Sequence, residues 1–90
     1  HLLKMGNISI GTLNTSLVHP REVFKEAIQA GAAKVIIAHN HPSGDPEPSE
    51  GDEMITQKLV KAGKILEIEI VDHIIVTSSS YTSFKEQKLL

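Results

Sequence analysis

Lys34 to Asp52 reads KVIIAHNHPSGDPEPSEGD, a core strand, a stiffened loop and a helix start in immediate succession. Lys34 to His39 is β-branched and nearly all apolar, the pattern of a strand buried on both faces, and it delivers His39 to its end. Side chains at i and i+2 of an extended segment project to one side, so His39 and His41 can point at a common centre. From Pro42 to Pro48 the prolines and Gly44 forbid regular structure, which predicts a stiff loop over that centre. Ser49 followed by Asp52 has the form of a capping box, with Asp where Glu or Gln is usual. Asp52 then falls in the first turn of a helix, where the dipole favours an ionised carboxylate. Two imidazoles and one carboxylate are the protein ligands of a catalytic zinc whose fourth position is left to water. The competing reading is a pair of hydrogen-bonded loop histidines with no metal, and the placing of Ser49 and Asp52 favours the metal.

Working outward, Ile8 and Ile10 alternate with Asn7 and Ser9, predicting one strand over Met5 to Ile10 that ends at Gly11, followed by a polar loop over Thr12 to Ser16. Pro20 suits a first helical position. Val23, Phe24, Ala27 and Ile28 repeat at helical spacing until Gly31 supplies a stop. After Ser49 a second helix carries the stripe Ile55, Leu59, Ala62 and is expected to end at Gly63. Leu66, Ile68 and Ile70 alternate with Glu67 and Glu69 as a half-buried strand, and Ile74 to Val76 reads as another. Ser83 with Glu86 predicts a further capping box in the tail. His73 beside Asp72 reads as a satisfied structural histidine in preference to a support for a metal ligand. His19 is assigned to a loop, and His1 has no role.

The chain of 90 residues has room for one small domain, or a piece of one. Hydrophobic content of 40%, charged content of 22% and a net charge of -2 fit a soluble globular protein. With 9 basic against 11 acidic residues there is no concentrated positive field, so direct nucleic-acid binding by this domain is not expected. The absence of cysteine removes disulfides and every thiolate metal site. No apolar run approaches membrane-spanning length and no signal-peptide pattern opens the chain, so the expected location is cytoplasmic.

His39, His41, Ser49 and Asp52 match H-x-H-x(7)-S-x-x-D, the signature of the JAMM (MPN) metallopeptidases. More narrowly, GTLNTSLVHPRE at Gly11 to Glu22, HNHPSGDPEPS at His39 to Ser49, and VDHIIV at Val71 to Val76 with Tyr81 and Ser83 resemble the bacterial RadC family, labelled as DNA repair proteins. The resemblance covers nearly the whole chain. It implies an α/β fold of the cytidine-deaminase-like type, a mixed sheet flanked by helices, with zinc held by His39, His41 and Asp52. In the JAMM pattern a glutamate on a strand well before the first histidine is the general base. Only Glu22 and Glu26 precede His39, and both read as helical. The resemblance therefore implies that residues 1–90 are a single domain of a longer protein, with the strand carrying the base upstream of His1.

The implied activity is hydrolysis of a peptide or isopeptide bond by a zinc-activated water. Ser49 would donate to the developing oxyanion, and the Pro42 to Pro48 loop would shape one wall of the substrate groove. The implied partners are a peptide or protein substrate and proteins of DNA repair, with no membrane. The alternative is a non-catalytic domain, stabilised by its metal, that docks a repair partner.

Overall fold

The computed structural model describes residues 2–5, 8–13, 19–41 and 44–90. Its centre is a five-stranded sheet in the order β1-β2-β3-β4-β5, built from β1 (Leu2–Met5), β2 (Ile8–Leu13), β3 (Lys34–Asn40), β4 (Glu69–Val76) and β5 (Tyr81–Ser83). The middle strands β2, β3 and β4 are parallel, and β1 and β5 pair antiparallel at the edges. The sheet is therefore mixed, as expected. Two helices, α1 (Pro20–Gln29) and α2 (Glu50–Leu66), form the successive crossovers between the parallel strands. Crossovers that advance the same way across a sheet with the usual right hand leave their helices on one face. The core agrees: Phe24 and Ala27 of α1 and Leu59 of α2 pack with Val35, Ile37, Ile68 and Ile70 in a single cluster. Among the described residues the helices flank that face alone.

The segment predicted as one strand over Met5 to Ile10 is two. Leu2–Met5 pairs antiparallel with Ile8–Leu13, Met5 opposite Ile8. Alternation by itself does not separate the two strands, although Gly6–Asn7 between them is a dipeptide of strand-breaking type. β2 also continues past Gly11 through Thr12 and Leu13, held by its parallel pairing with β3. The rest of the predicted polar loop, residues 14–16, lies outside the described residues, as do Pro42 and Ser43 of the proline loop.

Helix α1 begins with Pro20 at its first position and gives way at Gly31, whose φ of 67 suits the left-handed turn that stops a helix. Ile28, placed by spacing on the core stripe, is instead 58% exposed. Helix α2 does not end at Gly63 but runs to Leu66, and Glu67 makes the left-handed cap at φ 58. Gly63 serves the turn differently: the N–H of Ile68 returns to its carbonyl at 2.8 Å. A Cβ on Gly63 would collide with the carbonyl oxygen of Ile68, so only glycine lets the chain fold back this tightly.

The stretch read as two strands is one. β4 runs unbroken over Glu69–Val76, but Val35 pairs with Ile70 while Ile36 pairs with Asp72, leaving Val71 as an extra residue. That bulge shifts the alternation by one. Ile70 joins the core cluster, and His73 and Ile75 return to the same side as Ile37 and His39. The tail does not restart as a helix. Ser83 closes β5 and is followed by turns, in which the Glu86 N–H donates to the Ser83 hydroxyl at 3.2 Å. Asp72 holds this tail by accepting from the Ser83 hydroxyl and, at 2.9 Å, from the Lys85 N–H.

Candidate metal centre

β3 and α2 bring three donors to one point. Val35, Ile37 and His39 form the buried side of β3, so the strand's own alternation turns His39 toward the helices. His41 lies just past the strand end, its N–H tied to the Val76 carbonyl at 3.1 Å. Asp52 enters from the first turn of α2, fixed by a reciprocal box: the Ser49 N–H donates to Asp52 Oδ2 at 2.8 Å, and the Asp52 N–H to the Ser49 hydroxyl at 3.1 Å. Asp52 Oδ1 then lies 3.2 Å from His39 Nδ1, and Oδ2 lies 3.0 Å from His41 Nε2. The three residues can each offer one ligand atom within 4.8 Å of the others.

His41 Nδ1 lies 3.0 Å from the Asp45 carbonyl, which can only accept, so Nδ1 carries the proton. His41 Nε2 is then the ring nitrogen that faces the Asp52 carboxylate. Two acceptors at 3.0 Å repel unless a proton or a cation lies between them. His39 Nδ1 is likewise buried without a hydrogen-bond partner although the carboxylate is close. Donors bound tetrahedrally at zinc distances are about 3.3 Å apart; the two histidine–carboxylate separations, 3.2 and 3.0 Å, are near this, and all three ligand atoms lie within 4.8 Å. The residues fit a divalent ion.

Protonation favours the same use. Burial lowers the His39 pKa against the opposing charge of Asp52, with His41 adding to the fall, so its ring keeps a free lone pair. Burial by itself would raise the Asp52 pKa. The Ser49 backbone N–H, the Ser49 side chain and the two imidazoles outweigh it and hold the carboxyl below its ordinary value. Metal binding requires these deprotonated forms.

Ser49 is where its sequence position placed it, at the N-cap of α2, with an exposed side chain. Accepting from the Asp52 N–H leaves its own hydroxyl proton for another acceptor. Beside it, Asp45 to Pro48 line an open groove together with Glu53, Thr82 and Leu89. Glu22 and Glu26 are helical and exposed on α1, as read.

His73 departs from its reading as a satisfied histidine. It is fully buried, bonded at Nδ1 to the Thr56 hydroxyl at 2.6 Å and unpartnered at Nε2. Burial, reinforced by His39, lowers its pKa to about 4. Thr56 was missed altogether, although its place one turn after Asp52 put a hydroxyl on the buried stripe of α2.

The molecule is thus an α/β domain with a His-His-Asp group at the end of a parallel strand that could hold a metal ion. The chain is a member of the RadC-like JAB domain family, whose model matches residues 1–89. It is 56% identical over 89 residues to a UPF0758 protein of Moorella thermoacetica, covering 99% of this chain and 39% of that protein. A UPF0758 protein of Clostridioides difficile is 58% identical over 84 residues, covering 93% of this chain and 36% of that protein. One of Methanosarcina mazei is 56% identical over 86 residues, covering 96% and 38%. The chain thus spans less than two fifths of the length of these curated relatives. Among the described residues no helix is long and apolar enough to cross a membrane.

Proposed function

We propose that this chain is the metal-binding domain of a zinc-dependent hydrolase that cleaves an amide bond, peptide or isopeptide, in a protein substrate. The observation that carries the reading is the convergence of His39, His41 and Asp52, whose ligand atoms lie within 4.8 Å of one another, with His41 Nε2 3.0 Å from the Asp52 carboxylate. His39, His41 and Asp52 would hold the ion. Zinc there would supply a Lewis acid and lower the pKa of water toward about 7. Ser49 keeps Asp52 ionised and oriented, and the Asp45 carbonyl orients the His41 ring. Such outer partners fix ligand orientation and tautomer. The Ser49 hydroxyl is placed to donate to the oxygen that gains charge as a carbonyl is attacked. The groove along Asp45 to Pro48 would receive the flanking polypeptide. Glu22 and Glu26 take no part, and the proton acceptor is assigned to a glutamate of the longer protein, N-terminal to His1. A role in DNA repair enters through the family label as part of this proposal, by way of protein partners and not direct nucleic-acid contact.

The test joins metal analysis with hydrolysis of peptide and isopeptide substrates, on this chain and on a version extended N-terminal to His1. One zinc per wild-type chain is expected. His41→Ala should lose that zinc and remain folded by circular dichroism. Equal zinc in mutant and wild type removes His41 from the ligand set, and an extended, zinc-loaded protein that cleaves no amide removes the hydrolase.

A further inference from the structure

Thr56 and His73 make a polar pair in the interior, both 0% exposed. The Thr56 hydroxyl touches two groups: the main-chain carbonyl of Asp52 at 2.7 Å and His73 Nδ1 at 2.6 Å. A hydroxyl has one proton, and the carbonyl can only accept it. The Thr56 proton therefore goes to Asp52, and His73 must donate from Nδ1 to the Thr56 oxygen. The ring that makes this bond also stacks on His39, centroids 5.7 Å apart at 26°, and its other neighbour is Phe84 at 4.4 Å and 16°. His39 is met edge-on by His41 at 4.8 Å.

A histidine present only to fill this space would be better replaced by an apolar ring, since a matched pair of apolar groups can substitute for a buried hydrogen-bonded pair at little loss. Here the pair is polar, Nε2 has no hydrogen-bond partner, and the pair's contacts run to two of the three candidate ligands, Asp52 and His39. Neither residue reaches the donor atoms. We propose that Thr56 and His73 form a buried relay that positions the metal ligands, holding Asp52 through its main chain and His39 through its ring face. The proposal rests on the reading of His39, His41 and Asp52 as a zinc site. Both residues are positioning residues. The relay depends on the Val71 bulge, which returns His73 to the side of His39.

Zinc affinity, measured by competition with a chromophoric chelator, is compared for wild type, Thr56→Val and Thr56→Ser. Thr56→Val should weaken zinc binding about 10–100-fold, the usual effect of losing a group that orients a ligand. Thr56→Ser keeps the hydroxyl and should restore wild-type affinity. A folded Thr56→Val chain that binds zinc as wild type does overturns the relay and leaves the metal site standing. A wild-type chain that takes no zinc overturns the site, and the relay with it. Should Thr56→Val fail to fold, ¹⁵N NMR of the wild-type imidazoles decides: Nδ1-protonated His73 supports the relay, and the Nε2-protonated tautomer overturns it.

Discussion

Replacing His73 by Phe should remove a defined share of the pH dependence of folding. His73 is fully buried, and its pKa is about 4 against an ordinary 6.5. The unfolded chain therefore takes up a proton as the pH falls through 6.5, while the folded chain resists it until about 4. Stability is full above the unfolded value and is lost as the pH descends between the two. Each pH unit between the folded and unfolded titrations is worth about 1.4 kcal/mol, so the loss is about 2 kcal/mol from pH 7.5 to about 5 and about 3 kcal/mol by about pH 4. The pKa of His39 is also lowered, so it titrates in the same sense, but it is present in both proteins and cancels. Asp52 is held below the ordinary carboxylate range, so its contribution disappears only at lower pH. Phenylalanine preserves a flat ring between His39 and Phe84. Urea unfolding of both chains in chelator, at pH 7.5, 6 and 5, measures the difference in pH dependence independently of any constant loss from the substitution. Parallel decline of the two chains over that range would refute the buried, proton-resisting state of His73.

Ser49→Ala should destabilise the chain by about 1 kcal/mol through the lost cap, whereas Ser49→Asn, an equally good cap, should not. If the hydroxyl serves the chemistry, both variants of the extended protein lose hydrolysis, and an active Asn variant confines Ser49 to capping. Gly63→Ala, which ordinarily strengthens a helix by about 1 kcal/mol, should here destabilise by about 1–3 kcal/mol because the Ile68 carbonyl occupies the space of the new methyl. A raised melting temperature would contradict that contact. Zinc at about a hundred times its Kd should add about 2.7 kcal/mol and raise the melting temperature on the order of 10 °C, reversibly with chelator. Unchanged melting curves would argue against a site in the folded chain.

The local signals were legible without coordinates. Pro20 and Gly31 bound the first helix, Ser49 and Asp52 form the cap that starts the second, and the i, i+2 placing of His39 and His41 at the end of a core strand put both imidazoles near one point. Each depends on backbone geometry within a few residues. The helix end beyond Gly63, the continuity of β4 across its bulge, the split of the first strand and the burial of Thr56 against His73 depend on which distant segment lies alongside. Gly63 reads as a stop until Ile68 folds back over it, and the stretch from Val71 to His73 reads as a break until pairing with β3 makes Val71 a bulge. Periodicity records only the face a residue would show in an ideal element. Pairing and packing decide whether the element continues and what stands opposite, and that is why the candidate ligands and the Ser49 cap could be named from the chain while the Thr56–His73 contact behind them could not.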